Sequence, residues 1–563
     1  MSPDNPAAER ASFALLPVDL KTLIVSHVIR PTDMRNLCLT CKQLHEITVR
    51  QLYHEVSLDL GCTNDNRLSA FLHPRNIGLP YVRMLDVYLA DVVDKYNQAD
   101  VERQLQQANF AIRMILEFLP ENILERFCWH PWSEFSADNL VLLYTKQKKL
   151  KWLEGFALDR DVLPDLEDGP LFDTIFERAR KLGLYPDSRE VLDFCGLLLR
   201  RTKNPEKVTI HANFSETDPL LPMRELYDSS TQPGLITTSI FGHMQPFDKC
   251  VPLALKDLTL QKVGLRYAAN TYCRIVDFRQ LRYLRVFSCP GADALFAEIS
   301  KSTRLPEKLE CLEFKGEDNV ENDTLEAIDG LLCLVSGITS LTLDIMSAKK
   351  PPAVAGISRQ GRTLKELNVH ASPGSSVDDR TEEHIYDANS FLQICKDCPQ
   401  LEQLSVAFPS TSLIRAISEE FTVFEAALGD LPNLVTLNIT TWPTNLPSTT
   451  RLPRKIYEHL LQNLAQHGFD LSTAHAREFG RSSKLSVIAF GCSDKIYDRE
   501  DPKTQIIFVK GTQRAPFEEE RPLATQVGWC LRKYVEPRSS ILDFSLSRSH
   551  RPPTKDQPPD DLD

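Results

Sequence analysis

The chain has 563 residues, 42% of them hydrophobic and 25% charged, enough apolar mass for several domains or one long repeat array. Lys and Arg number 65 against 77 Asp and Glu, and the resulting formal net charge of −12 argues against docking along a phosphate backbone. Nucleic acid is therefore excluded as an expected partner.

Residues 1–12 read as a flexible N-terminus without a basic and apolar leader. No apolar run approaches the roughly 18 residues of a membrane span, so no membrane partner is expected either. Leu20, Leu23, Ile24, His27 and Val28 then fall at i, i+3, i+4, i+7 and i+8, one apolar face of a helix that Pro17 opens. Pro31 ends it, Asp33 caps a short second helix carrying Met34 and Leu37, and Thr40-Cys41-Lys42-Gln43 forms a capping box for a third through Leu44, Ile47 and Leu52. Three helices packed in about 40 residues bury little surface, so they call for a partner or a neighbouring domain.

In order and spacing this stretch, residues 13–58, resembles an F-box. The family's Leu-Pro opening is Leu16-Pro17, its apolar helix face is Leu20, Leu23 and Ile24, its Asp-Leu pair is Asp33-Met34, and its Cys-Lys pair is Cys41-Lys42. Met34 stands for the usual Leu, and Leu44 occupies a position where many members have Trp. The resemblance implies that Leu16, Pro17, Leu20, Ile24, Leu37 and Cys41 form the surface for a Skp-family adaptor and, through it, a cullin.

From Leu79 onward one pattern recurs: apolar, two others, apolar, one other, apolar. It runs through Val82, Leu85, Val87; Leu124, Phe127, Trp129; Leu255, Leu258, Leu260; Leu281, Leu284, Val286; and Leu309, Leu312, Phe314. It continues through Ile338, Leu341, Leu343; Leu364, Leu367, Val369; Leu401, Leu404, Val406; Leu434, Leu437, Ile439; and Leu485, Ile488, Phe490, with partial copies at Leu150 and Val208. First positions from Leu255 to Leu434 are spaced 26, 28, 29, 26, 37 and 33 residues apart, a repeat period. Between them, helices are predicted around Ile112, Ile115, Leu116 and Leu119; after Asn322-Asp323 with Leu325, Ile328, Leu332 and Val335; at Phe421, Phe424 and Leu428; and at Tyr457, Leu460, Leu461 and Leu464. A repeated strand and helix cannot bury its apolar edge alone, so neighbours stack into a parallel sheet with helices outside.

The expected class is thus α/β, and residues 59–545 resemble an irregular right-handed leucine-rich-repeat solenoid, a horseshoe. The family's Asn after the last apolar position is missing: Val263, Cys289, Glu317, Met346 and Ser372 stand there, and only Cys289 is an accepted substitute. Leu158–Asp187, Thr217–Pro252, Ser372–Asp387 and Thr440–Pro453 read as loops, Gln505–Lys510 as a late strand, Glu518-Glu519-Glu520 as a solvated loop and 546–563 as a disordered tail.

Fourteen cysteines without a spaced framework fit a reducing compartment, cytosol or nucleus. Cys38-Leu39-Thr40-Cys41 with His45, and Cys395-Lys396-Asp397-Cys398, are each only half of a metal or redox site, so no metal or cofactor is expected. No phosphate loop, nucleophile elbow or His-Glu-x-x-His occurs, and the chain does not read as an enzyme. The resemblance implies a substrate-recognition subunit of a Skp–cullin–F-box ubiquitin ligase; the alternative is a repeat scaffold acting outside ubiquitination. For the target surface, alternation along the strand with Leu284 and Val286 inward turns Tyr283, Arg285 and Phe287 to the concave side. Arg285 is also in register to pair with Glu313.

Overall fold

The computed structural model describes residues 13–28, 31–60, 66–88, 98–130, 135–155, 178–186, 188–212, 214, 228–229, 232–319, 322–373, 383–414, 416–441, 454–491, 505–513, 521–527 and 541. The expectations for residues 1–12, Glu518-Glu519-Glu520, the tail 546–563 and most of Ser372–Asp387 and Thr440–Pro453 lie outside them. Two compact units result, Met1–Trp152 with Ala157–Leu171, and Leu153–Phe156 with Phe172–Asp563. The division falls near residue 152, so the first three strands belong to the same unit as the N-terminal helices.

In the first unit, helices α1 (Val18–Ser26), α2 (Pro31–Cys38) and α3 (Lys42–Leu52) pack around Val25, Leu44 and Ile47, with Leu37 against them. Two local expectations are corrected. Pro31 starts α2 as its first residue, where its missing N–H leaves nothing unsatisfied, and Asp33 lies inside the first turn rather than at the cap. The capping box does not form: Thr40 Oγ1 turns back to donate to Leu37 O at 2.8 Å, which leaves Cys41 as an N-cap without a side-chain bond. The oxygen of Gln43 instead accepts from Lys21 Nζ at 2.6 Å and ties α3 to α1.

The chain passes from α3 directly into β1 (Glu55–Asp59), which pairs in parallel with β2 (Met84–Tyr88), itself paired with β3 (Arg126–His130). Helices α4 (Asn66–Phe71), α5 (Gln98–Phe118) and α6 (Ala137–Lys146) complete the unit. Ile112, Ile115 and Leu116 are buried along α5 and Leu119 directly after it, as their spacing predicts. Where α6 ends, Gln147 receives the N–H groups of Ile123 and Leu124 on its oxygen and donates to Pro120 O, closing the turn that leads into β3.

The second unit is built on a long sheet ordered β4 (Trp152–Gly155), β5 (Lys181–Leu184), β6 (Lys207–His211), β9 (Asp257–Gln261), β10 (Tyr283–Phe287), β11 (Cys311–Glu317), β12 (Ser340–Met346), β13 (Glu366–Ala371), β14 (Gln403–Val406), β15 (Thr436–Ile439), β16 (Val487–Phe490), β17 (Ile506–Gln513) and β18 (Arg521–Val527). A two-rung hairpin, β7 (Asp228–Ser229) and β8 (Gln232–Pro233), stands apart. From β5 to β16 neighbouring strands pair in parallel, and the last two pairings are antiparallel. Register is kept across the strands: Val208, Leu258, Leu284, Leu312, Leu341, Leu367, Leu404, Leu437 and Ile488 form one apolar row. Every member of that row is at most 3% exposed, which is why the period shows so clearly in the sequence.

Between strands run α7 (Arg189–Arg201), α8 (Leu235–Ile240), α9 (Ala269–Ile275), α10 (Ala292–Lys301), α11 (Thr324–Leu334), α12 (Val354–Arg359), α13 (Ala388–Asp397), α14 (Glu419–Ala427) and α15 (Arg454–Glu478). The fold is a mixed α/β architecture with a long, mostly parallel, open sheet. Two stretches expected as loops contain elements: β5 lies within Leu158–Asp187, and β7, β8 and α8 within Thr217–Pro252. They escaped notice because β5 offers only Leu182 and Leu184, and α8 is six residues long.

The turns around the strands are closed in several ways. Cys289 Sγ accepts from Val263 N and donates to Phe287 O, both at 3.4 Å, and so bridges two repeats. Lys262, Ser288 and Ser347 adopt positive φ at the ends of β9, β10 and β12. Gln360 repeats the device of Gln147, its amide reaching Leu332 O and Val335 O and its oxygen accepting from Ile338 N. At the other end of the sheet, Gln462 and Gln466 of α15 donate to Ala524 O and Pro522 O, and Gln466 accepts from Ala524 N, so that the backbone of β18 is bonded from both sides. Among the described residues no helix is long and apolar enough to cross a membrane.

Candidate functional site

Helix α1 turns Lys21 and Val25 into the unit, and the apolar face picked out by the periodicity points the other way. Leu20, Leu23 and Ile24 are 46%, 57% and 43% exposed. Phe13, Leu15 and Val18 ahead of them and Leu39 after α2 are exposed as well. Scattered exposed apolar residues need no explanation, but this density within a dozen residues is the composition of a contact surface. Of the six expected contact residues, Pro17, Leu20, Ile24 and Cys41 face solvent and Leu16 is half-buried. Leu37 differs: it is half-buried against Val25, Leu44 and Ile47, so it shapes the helices from within. Phe13, Leu15, Val18 and Leu39 are exposed apolar residues that the sequence reading did not single out, although the density of large apolar side chains around Leu16-Pro17 signalled them.

On β10 the predicted alternation holds, with Leu284 and Val286 fully buried and Tyr283, Arg285 and Phe287 partly exposed on the face turned away from the helices. The neighbours are those expected from register, Asp257, Thr259 and Gln261 on β9 and Cys311, Glu313 and Lys315 on β11. Charges alternate across four strands. Lys207 Nζ lies 3.0 Å from Asp257, Arg285 lies 3.0 Å from the same carboxylate, and Arg285 Nε lies 3.3 Å from Glu313. The Arg285 guanidinium also sits 5.5 Å from the Tyr283 ring centroid. The cation is therefore held by its own sheet, and Tyr283 and Phe287 are the side chains left to contribute apolar contact.

The same face has a different character over β13 to β15. Ser405, Thr436 and Asn438 are fully buried there, and Asn438 Nδ2 donates to Ser405 Oγ at 2.9 Å. Gln403 donates to Glu366 and accepts the backbone N–H of Ile541, a residue itself 1% exposed. His370 lies between two carboxylates, 2.7 Å from Asp344 and 3.4 Å from Glu383, and Glu383 accepts from the Thr440 hydroxyl. This stretch is closed by the chain's own residues, whereas β9 to β11 present the row containing Tyr283 and Phe287.

The cysteine pairs do not assemble reactive sites. Burial pushes the Cys398 thiol up to about 12 and raises Cys395 further, so both stay protonated and poorly nucleophilic. His45 Nδ1 lies 3.1 Å from the Cys38 carbonyl oxygen, not from a thiol. Among the described residues no group of three or more His, Cys, Asp or Glu is arranged to hold a metal ion. His211, on the β6 edge of the polar face, is held neutral: burial, with a smaller push from Lys262, lowers its pKa to about 4. No protein-family model matches the chain, and no curated protein is significantly similar to it.

Proposed function

We propose that the chain is a non-catalytic substrate-recognition subunit of a Skp–cullin–F-box ubiquitin ligase, with residues 13–58 acting as the F-box and the strand–helix repeats acting as a leucine-rich-repeat solenoid. The observation that carries this reading is the exposed apolar group around Leu16-Pro17, on helices whose own small core lies elsewhere. Such a group is what an adaptor interface requires before its partner arrives. Mechanistically the chain makes no bonds itself. Holding a target near the conjugating enzyme converts a bimolecular transfer to lysine into a nearly intramolecular one, so the rate gain is one of effective concentration. The face at β9 to β11, with Tyr283 and Phe287, is the proposed target contact.

The test is co-precipitation of a Skp-family adaptor with the full chain and with the Leu16→Ala, Pro17→Ala double variant. Losing anchors of this kind weakens binding by about 2 kcal/mol, roughly 30-fold, while thermal unfolding of the repeats is unchanged. Undiminished adaptor capture by the double variant would sink the assignment and favour a scaffold acting outside ubiquitination.

A further inference from the structure

Helices α14 and α15 lie over β15 and β16, and the space between helices and strands is not filled. A cavity of about 250 Å3 remains, walled in part by Leu437, Ile439, Leu464, Ile488, Phe408 and Phe490. Protein interiors rarely leave voids much larger than a water molecule, and an apolar cavity of about 150 Å3 already admits benzene. The remaining question is what chemistry the walls select.

The two ends of the cavity differ. Arg481 and Lys484 line it ahead of β16 beside the exposed Phe479, whereas the buried Phe490 lines it at the end of that strand, so the cations and the buried aromatic wall stand at opposite ends. Both cations are exposed. Lys484 Nζ donates to Asn433 Oδ1 at 2.7 Å, and among the described residues Arg481 pairs with no carboxylate. Phe408, Phe421 and Phe490 are at most 1% exposed. One carboxylate lines the cavity, that of Glu425, and it faces His467 Nε2 across the helix seam at 3.3 Å. Burial pushes this carboxyl up against the opposing pull of His467. His475 also lines the cavity, 3.9 Å from the exposed Glu478.

We propose that this cavity binds an amphipathic carboxylate with an unbranched aliphatic body, of the medium-chain fatty-acid class, its head at Arg481 and Lys484 and its chain running between Leu464 and Ile488 toward Phe408 and Phe490. Charge complementarity fixes the polarity of the ligand. An exposed pair of cations above an apolar channel favours an anionic head, and an ammonium head on the same chain meets like charge.

The experiment is calorimetric titration of the full chain with decanoate, decanol and decylammonium below their micelle-forming concentrations. Decanoate binds at one saturable site, and decylammonium binds roughly tenfold more weakly or not at all. An Arg481→Ala, Lys484→Ala double variant loses roughly tenfold in decanoate affinity and keeps its affinity for decanol. Because both side chains are exposed, that variant keeps the parent's thermal midpoint. Ala476→Leu, which adds volume to the lining, weakens decanoate and decanol alike. The proposal is overturned if decanoate shows no saturable binding to the folded chain, if decylammonium matches it, or if the double variant binds decanoate as the parent does.

Discussion

The N-terminal helices and the strands of the long sheet draw on the same residue type, leucine at regular spacing, and treat it in opposite ways. Leu20 and Leu23 of α1 stand about half exposed, whereas Leu258, Leu284, Leu312 and Leu341 are at most 1% exposed. The difference lies in what each period has to pack against. A strand's apolar row meets the same row on the next strand and a helix above it, while α1 turns Lys21 and Val25 toward α3 and leaves Leu20 and Leu23 outward. Periodicity thus reports that a face is apolar; whether the face is core or contact surface depends on the presence of a neighbour.

The largest expected effect tests this contrast directly. Leu284→Ala removes a fully buried side chain between two packed rows and lowers unfolding free energy by about 3–4 kcal/mol in urea melts, whereas Leu20→Ala stays within about 0.5 kcal/mol of the parent. Equal losses would show that α1's outer face is covered after all.

A second measurement sharpens the contrast on the polar side of the sheet. His211 has its folded pKa lowered from 6.5 to about 4, so the folded chain holds fewer protons there than the unfolded chain. Its contribution is complete above pH 6.5 and is lost as pH falls from 6.5 toward 4, by at most about 3 kcal/mol. His211→Gln flattens the pH dependence of stability in that window; an unchanged slope would show that His211 is solvated.

The smallest effect concerns the glutamines that close the turns. Gln360→Leu leaves Leu332 O, Val335 O and Ile338 N without their partner and lowers stability by about 2 kcal/mol, and Gln147→Leu does the same in the other unit. A neutral Gln360→Leu would mean that water replaces the amide at no loss.

The rows of the sheet were legible because most strands carry three apolar residues in a fixed frame, and the buried face of α5 followed from its own spacing, though its start at Gln98 did not. The pairing of Arg285 with Glu313 followed from register alone. What stayed hidden had no local signature. Gln147 and Gln360 look like surface residues until the turns they close are known, and β18 carries a proline and few apolar residues. Ile541 meets Gln403, 138 residues away in sequence, a contact that no local pattern announces. In the N-terminal helices the spacing picked out one apolar face of α1, but an amphipathic pattern cannot distinguish an exposed apolar face from a buried one, and so Leu37 was grouped with Leu20.

The bonding of β18 by Gln462 and Gln466 bears on association between copies. A one-dimensional stack of strands ends in a rung whose backbone can template another chain, the usual origin of strand-to-strand polymerisation. Here the rung at Pro522 and Ala524 is occupied by side chains of the chain's own α15, which provide the donors and the acceptor that a neighbouring molecule's strand would otherwise provide. Gln462 and Gln466 therefore act as chain terminators for the sheet, and their joint replacement by Ala would turn a finished edge into a growing one.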